Sequence, residues 1–297
     1  MTPLRPGARV AVVAPGGAVD PDRLAPGLAL LREWGLEPLP GPNLHARHRW
    51  LAGSRAQRAA DLLWALSAPG VDAVWFARGG SGTADLLTQL PWEALPAERP
   101  VIGFSDATAL LVALAARGRG AVHGPVVSTL ASSDPATRRA LRELLLAGRP
   151  PPLPGRHLCG PRTPVEGPLV GGNLTVLASL CGTPSRLEAA DAVLLLEDVD
   201  EAPYRVERSL GQLLAAEALR GVVGVAIGEL TRCGEDPDLL AAMLTERLEP
   251  LGVPVLIDLP VGHGERNLPF LHGARVRLAF DRLDPLEGWE GAGRGGD

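Results

Sequence analysis

The chain contains no lysine: all 29 of its basic residues are arginine. That absence rules out Schiff-base and pyridoxal phosphate chemistry, a P-loop lysine and a Ser–Lys dyad. A serine nucleophile would have to find another base, and histidine, of which there are six, is the natural choice. Cysteine is scarce. Cys159, Cys181 and Cys233 are odd in number and unpaired in spacing, which gives no disulfide framework and no zinc site and suits a reducing compartment. Runs of one charge are missing too, and a net charge of -5 spread along the chain argues against nucleic acid as a partner. No apolar stretch is long enough to cross a bilayer, and residues 9–14 enter a strand-like run with no secretory leader before it. The expectation is a cytoplasmic protein with no membrane partner and no metal or cofactor.

What is present is a globular composition. At 297 residues and 46% hydrophobic, the chain can bury a sizeable core in two domains or one large one. Strand-like segments at 9–14, 72–77 and 100–104 alternate with helix-like ones at 21–34 (capped by Asp20), 54–66, 82–90 and 107–117. This rhythm predicts an α/β fold whose first domain is a mostly parallel sheet flanked by helices, Rossmann-like or flavodoxin-like. In such sheets the working crevice lies beyond the carboxyl ends of the strands. Residues 149–168 hold seven prolines, which excludes a helix or a central strand and reads as a linker. It divides an N-terminal domain, 1–148, from a second α/β domain, 169–283, with helices at 173–181, 203–219 and 238–248 and strands at 192–197, 222–227 and 253–259. Residues 284–297, rich in glycine and charge, are expected to fray.

Ser105 stands where the apolar run Val101–Phe104 gives way to strong helix formers. A serine at a strand-to-helix turn is lifted clear of the sheet beside the free N–H groups of a helix start, a place for a nucleophile and for donors to an oxyanion. The same position suits a plain N-cap. Among the histidines, His45 and His48 sit in a polar loop with arginines, His157 in the proline-rich stretch, His123 at a strand end and His272 in a turn. His263, flanked by Gly262 and Gly264, leaves the end of the strand at 253–259, the same topological position as Ser105. An orienting carboxylate would hold its tautomer. Glu197 ends the apolar run AVLLLE, but Asp198, Asp200 and Glu201 cluster beside it, and spacing does not choose among them. The glycine-rich loop Arg78-Gly79-Gly80-Ser81-Gly82 follows a strand as phosphate cradles do, yet lacks the dinucleotide fingerprint. It equally serves to bring a backbone N–H to the carbonyl attacked by Ser105.

Taken together, ARGGSG (77–82), GFSDAT (103–108), HGP (123–125), GPLVGGNL (167–174), LEDVDEAPYRVERSL (196–210) and GHGERNLPFLHG (262–273) resemble, in order and spacing, the LD-carboxypeptidase family. Those are serine peptidases that trim murein tetrapeptides, a group that includes the microcin C immunity peptidases. The resemblance spans residues 4 to 281. It implies a Ser105–Glu197–His263 triad with the nucleophile on the first domain and its partners on the second, no cofactor, and a cytoplasmic homodimer acting on murein tetrapeptides. Asp106, Gly79 and Gly80 would supply backbone donors to the oxyanion. Arg78, Ser81, Asn173 and Arg205, with Arg208 beside it, are the candidates for holding substrate. Two departures stand out: Ser81 replaces the aromatic usual in the loop, and Phe104 replaces a common tyrosine. An immunity-type peptidase and a non-catalytic module binding an anion in the glycine loops are the alternatives.

Overall fold

β1 (Arg9–Val13) shows why the first sheet forms: from Val10 to Val13 every residue is fully buried, as a strand covered by helices on both faces must be. In the computed structural model, which describes residues 2–96 and 99–289, β1 lies between β2 (Glu37–Pro40) and β3 (Ala73–Phe76). β4 (Val101–Gly103) and β5 (Ala121–His123) extend the sheet, all five strands running parallel. Its helices are α1 (Pro21–Glu33), α2 (Arg55–Ser67), α3 (Thr108–Ala115), α4 (Val127–Leu130) and α5 (Pro135–Ala147). Asp20 caps α1 as expected, and Ser54 and Gln57 close a capping box on α2.

The second sheet has eight strands. β6 (Leu153–Pro154) and β7 (Arg156–Cys159) are its two edges. Between them run β8 (Val165–Asn173), β9 (Val193–Val199), β10 (Gly224–Thr231) and β11 (Val255–Ile257), with α6 (Leu174–Ser179), α7 (Pro203–Ala215) and α8 (Pro237–Leu248) packed against them. β12 (Phe270–Leu271) leaves this unit and pairs antiparallel with β5 of the first sheet. β13 (Arg275–Leu278) and β14 (Arg282–Pro285) then complete the second sheet. The architecture is the expected two-unit α/β one.

Three expectations need correction. The stretch at 149–168 is not a bare linker, because it contains β6, β7 and the start of β8; prolines tolerate strands at edges, where no ladder N–H is missed. Residues 82–90 form a 3-10 turn at Ala84–Gln89 instead of an α-helix. The tail does not fray from Asp284: Asp284 and Pro285 belong to β14, and Trp289 is buried. Residues 290–297 lie outside the described residues.

α3 joins the halves. From Thr108 to Leu114 every residue is buried, the mark of a helix apolar on all sides. It packs on β4 and β5 of its own sheet and on β8 and α6 of the other. One hydrophobic cluster therefore runs from Val13, Phe76 and Leu110 through to Leu177, Leu194 and Val225.

Candidate active site

Ser105 is half-buried and holds a backbone φ of +62°, in the left-handed region that L-residues avoid. Such strain persists only where the surroundings enforce it. Next to Ser105, Asp106 is buried, and its Oδ2 accepts from Thr83 N (3.1 Å) and Thr83 Oγ1 (2.6 Å). Burial pushes the Asp106 carboxyl above its usual range, opposed by the hydrogen bonds from Thr83. The glycine loop is thereby tied to the nucleophile's turn. A Cβ on Gly79 would stand 3.0 Å from Ser105 Cβ and 3.1 Å from its Oγ, so any side chain there would crowd the serine. Gly79 O accepts from Gly17 N (2.9 Å), which stacks this loop on the one after β1. Buried Arg58 fastens both from behind through Pro15 O and Gly82 O (2.9 Å).

From the second sheet, Glu197 is fully buried at the end of β9, and its Oε2 meets His263 Nδ1 at 2.7 Å. Burial pushes the Glu197 carboxyl up, and the hydrogen bond from His263 pulls against it. The acidic neighbours are engaged elsewhere. Asp198 accepts from Asn173 Nδ2 and from Thr175 at the start of α6, and from the N–H of its own neighbour Val199. Asp200 pairs with exposed Arg232 at 2.6 Å, and Glu201 with Arg205 at 3.5 Å. The glycines beside His263 sit in close quarters: Gly262 holds a φ of +137° and a Cβ on it would lie 3.1 Å from Glu197 Oε2, while one on Gly264 would displace the Glu229 carboxylate.

The halves meet at Phe104, the residue before Ser105, whose ring centroid is 4.7 Å from that of His263. Among the described residues no hydrogen bond reaches Ser105 Oγ. Arg78 donates to Ala18 O and is otherwise exposed, as is Ser81. Asn173 is buried and spends its amide inside the protein: it caps α6 at Val176 N (3.0 Å) and donates to Asp198, while its N–H donates to Thr108 Oγ1 (3.1 Å). Arg205 and Arg208 lie exposed around Tyr204. His45 and His48 are exposed, and His157 turns to Gly160 O. No local sequence signal marks Thr83, Arg58 or Asn267, since each acts through a partner remote in the chain. Asn267 does stand within the GHGERNLPFLHG motif. No group of metal-ligating side chains occurs among the described residues, nor a helix able to cross a membrane.

Two α/β units contributing a strained serine from one side and a carboxylate-held histidine from the other define a hydrolase-like architecture. Residues 10–124 match the LD-carboxypeptidase N-terminal domain and residues 166–278 the LD-carboxypeptidase C-terminal domain. The chain belongs to the LD-carboxypeptidase family, and it is a carboxypeptidase. It is 40% identical over 289 residues to a murein tetrapeptide carboxypeptidase of Pseudomonas aeruginosa, covering 93% of this chain and 94% of that one. The structure of a muramoyltetrapeptide carboxypeptidase from Oxalobacter formigenes is similar at 28% identity and a TM-score of 0.79, over 94% of this chain and 98% of that one. The microcin C7 self immunity protein MccF, apo state, shares the fold at a TM-score of 0.85 and 20% identity, over 96% and 98% of the two chains.

Proposed function

We propose that this chain is a serine LD-carboxypeptidase that releases terminal D-alanine from murein tetrapeptides, as part of peptidoglycan recycling. The observation that carries the reading is the Glu197–His263 hydrogen bond of 2.7 Å set beside Phe104, one residue from the strained serine. In this reading Glu197 holds the Nδ1–H tautomer, leaving His263 Nε2 free to take the Ser105 proton. Ser105 Oγ attacks the carbonyl joining the diamino acid's L-centre to D-alanine. Backbone N–H groups of Asp106 and the Gly79–Gly80 loop stabilise the oxyanion, and His263 returns the proton to the departing D-alanine amine. Water, activated by His263, then cleaves the acyl-enzyme. Arg78, Ser81, Arg205 and Arg208 are the exposed groups offered to substrate carboxylates. A cytoplasmic homodimer belongs to the same reading by family resemblance, and light scattering tests the dimer. The direct experiment incubates purified protein with defined tetrapeptides and follows D-alanine by mass spectrometry, with a peptidyl nucleotide in parallel. Release of D-alanine is expected. Cleavage of the nucleotide alone would move the assignment to the immunity peptidases, and no turnover of either would overturn it.

A further inference from the structure

His263 sits in a loop between β11 and β12, where its own unit holds its ring through Glu197 and the loop's backbone through Glu229 N, which donates to Val261 O at 2.8 Å. An anchor to the other unit is Asn267, which is 6% exposed. Asn267 Oδ1 accepts the N–H of Gly262, the residue before His263, at 3.2 Å, and the same oxygen lies 3.1 Å from His123 Nε2. A backbone N–H can only donate, so the amide oxygen must face this way. His123 must therefore be the Nε2–H tautomer, donating to Asn267. The main-chain N–H of Asn267 donates in turn to Thr137 Oγ1 on α5 at 3.1 Å. His123 ends β5, so residue 267 is fastened to the nucleophile's domain twice and to the His263 loop once.

The setting keeps the donor neutral and rigid. His123 is fully buried, stacked on Phe270 with centroids 4.6 Å apart, and Phe104 meets it edge-on at 5.8 Å. Burial pushes its pKa down to about 3, so near neutral pH it carries one N–H, and that one is aimed at Asn267. Phe104 thus touches both imidazoles, His263 on one side and His123 on the other.

We propose that Asn267 is a positioning residue: clamped by His123, its side-chain oxygen pins the His263 loop to the domain carrying Ser105 and so sets the alignment of base and nucleophile. The proposal rests on the serine-hydrolase reading above. Asn267→Leu removes the shared acceptor, and His123→Phe removes the donor while keeping an aromatic ring in the stack. Each should lower kcat by about 10- to 100-fold, the effect expected when a reacting group shifts by about 1 Å. KM should stay within about twofold. The rate at which a fluorophosphonate labels Ser105 should fall in parallel, measured per folded site. The double variant should be scarcely worse than either single one, because the two residues act as a unit. His123→Gln, which can place an N–H near the same point, should recover much of the loss. Should Asn267→Leu fail to fold, the His123→Phe and His123→Gln pair decides. Unchanged kcat and labelling in folded His123→Phe, or no recovery in His123→Gln, overturns the clamp while leaving the triad standing. A wild-type protein that neither releases D-alanine nor reacts with the phosphonate overturns the triad reading, and the clamp with it.

Discussion

At the scale of single residues, Ser105 combines two demands that can be separated. Its +62° φ is a conformational cost, and its hydroxyl is the proposed nucleophile. Ser105→Ala should reduce kcat/KM by about 10^4 or more. Ser105→Gly should be equally inactive yet more stable than Ser105→Ala by about 1 kcal/mol, because glycine adopts this φ without penalty. Urea midpoints of the two variants check this, and equal midpoints would mean the turn stores no strain. Gly79→Ala places a methyl 3.1 Å from Ser105 Oγ, so steady-state kinetics should show turnover falling at least tenfold. If Glu197 acts only through His263, Glu197→Gln should cost less than His263→Ala, and the double variant should match His263→Ala. Additive losses in that cycle would make Glu197 an independent actor.

At the scale of elements, the strands that end at the site were readable because buried apolar runs announce them, and the residues leaving their carboxyl ends follow from the parallel topology. Spacing could not separate Glu197 from Asp198, Asp200 and Glu201, since the choice depends on which side chain meets an imidazole 66 residues away. Nor could it pair His123 with Asn267 across 144 residues. The strands inside 149–168 were hidden because proline argues against strands in general, and only the sheet order reveals that β6 and β7 are edges. α5 carries its own signals in the sequence: Asp134 caps it, Pro135 opens it and Gly148 closes it in the left-handed region. Asp134 accepts from Ala136 N (2.8 Å) and Thr137 N (3.2 Å), and Asp134→Ala should cost about 1 kcal/mol in chemical denaturation. Because Thr137 is also the hydroxyl that receives Asn267, kinetics should be affected as well.

At the scale of the whole molecule, α3 and its continuous core make the two units interdependent, where the proline-rich segment alone reads as a linker between separate domains. Buried His272, whose pKa burial lowers to about 3, offers a probe of that core. Unfolded, its ring takes a proton below about pH 6.5; folded, it does not, so its contribution to stability falls as pH drops from 6.5 toward 3, by about 1.4 kcal/mol per pH unit. Among the described residues both ring nitrogens lack partners, so His272→Leu should flatten the pH dependence of stability by that amount per unit between pH 4.5 and 6. Urea titrations of both proteins across that range measure the difference, and identical slopes would show the ring already protonated in the fold. The same reasoning makes one cooperative thermal transition the expected outcome of calorimetry. The edge placement of β6 and β7 has a further consequence, for behaviour in a crowded cell. An open sheet offers unpaired N–H groups to strands of other chains, the route to aggregation. Here the segment that links the units also borders the second sheet on both sides, and it brings with it prolines such as Pro154, which have no N–H to offer. A connection that looked like a spacer guards the sheet it joins against strand-by-strand growth.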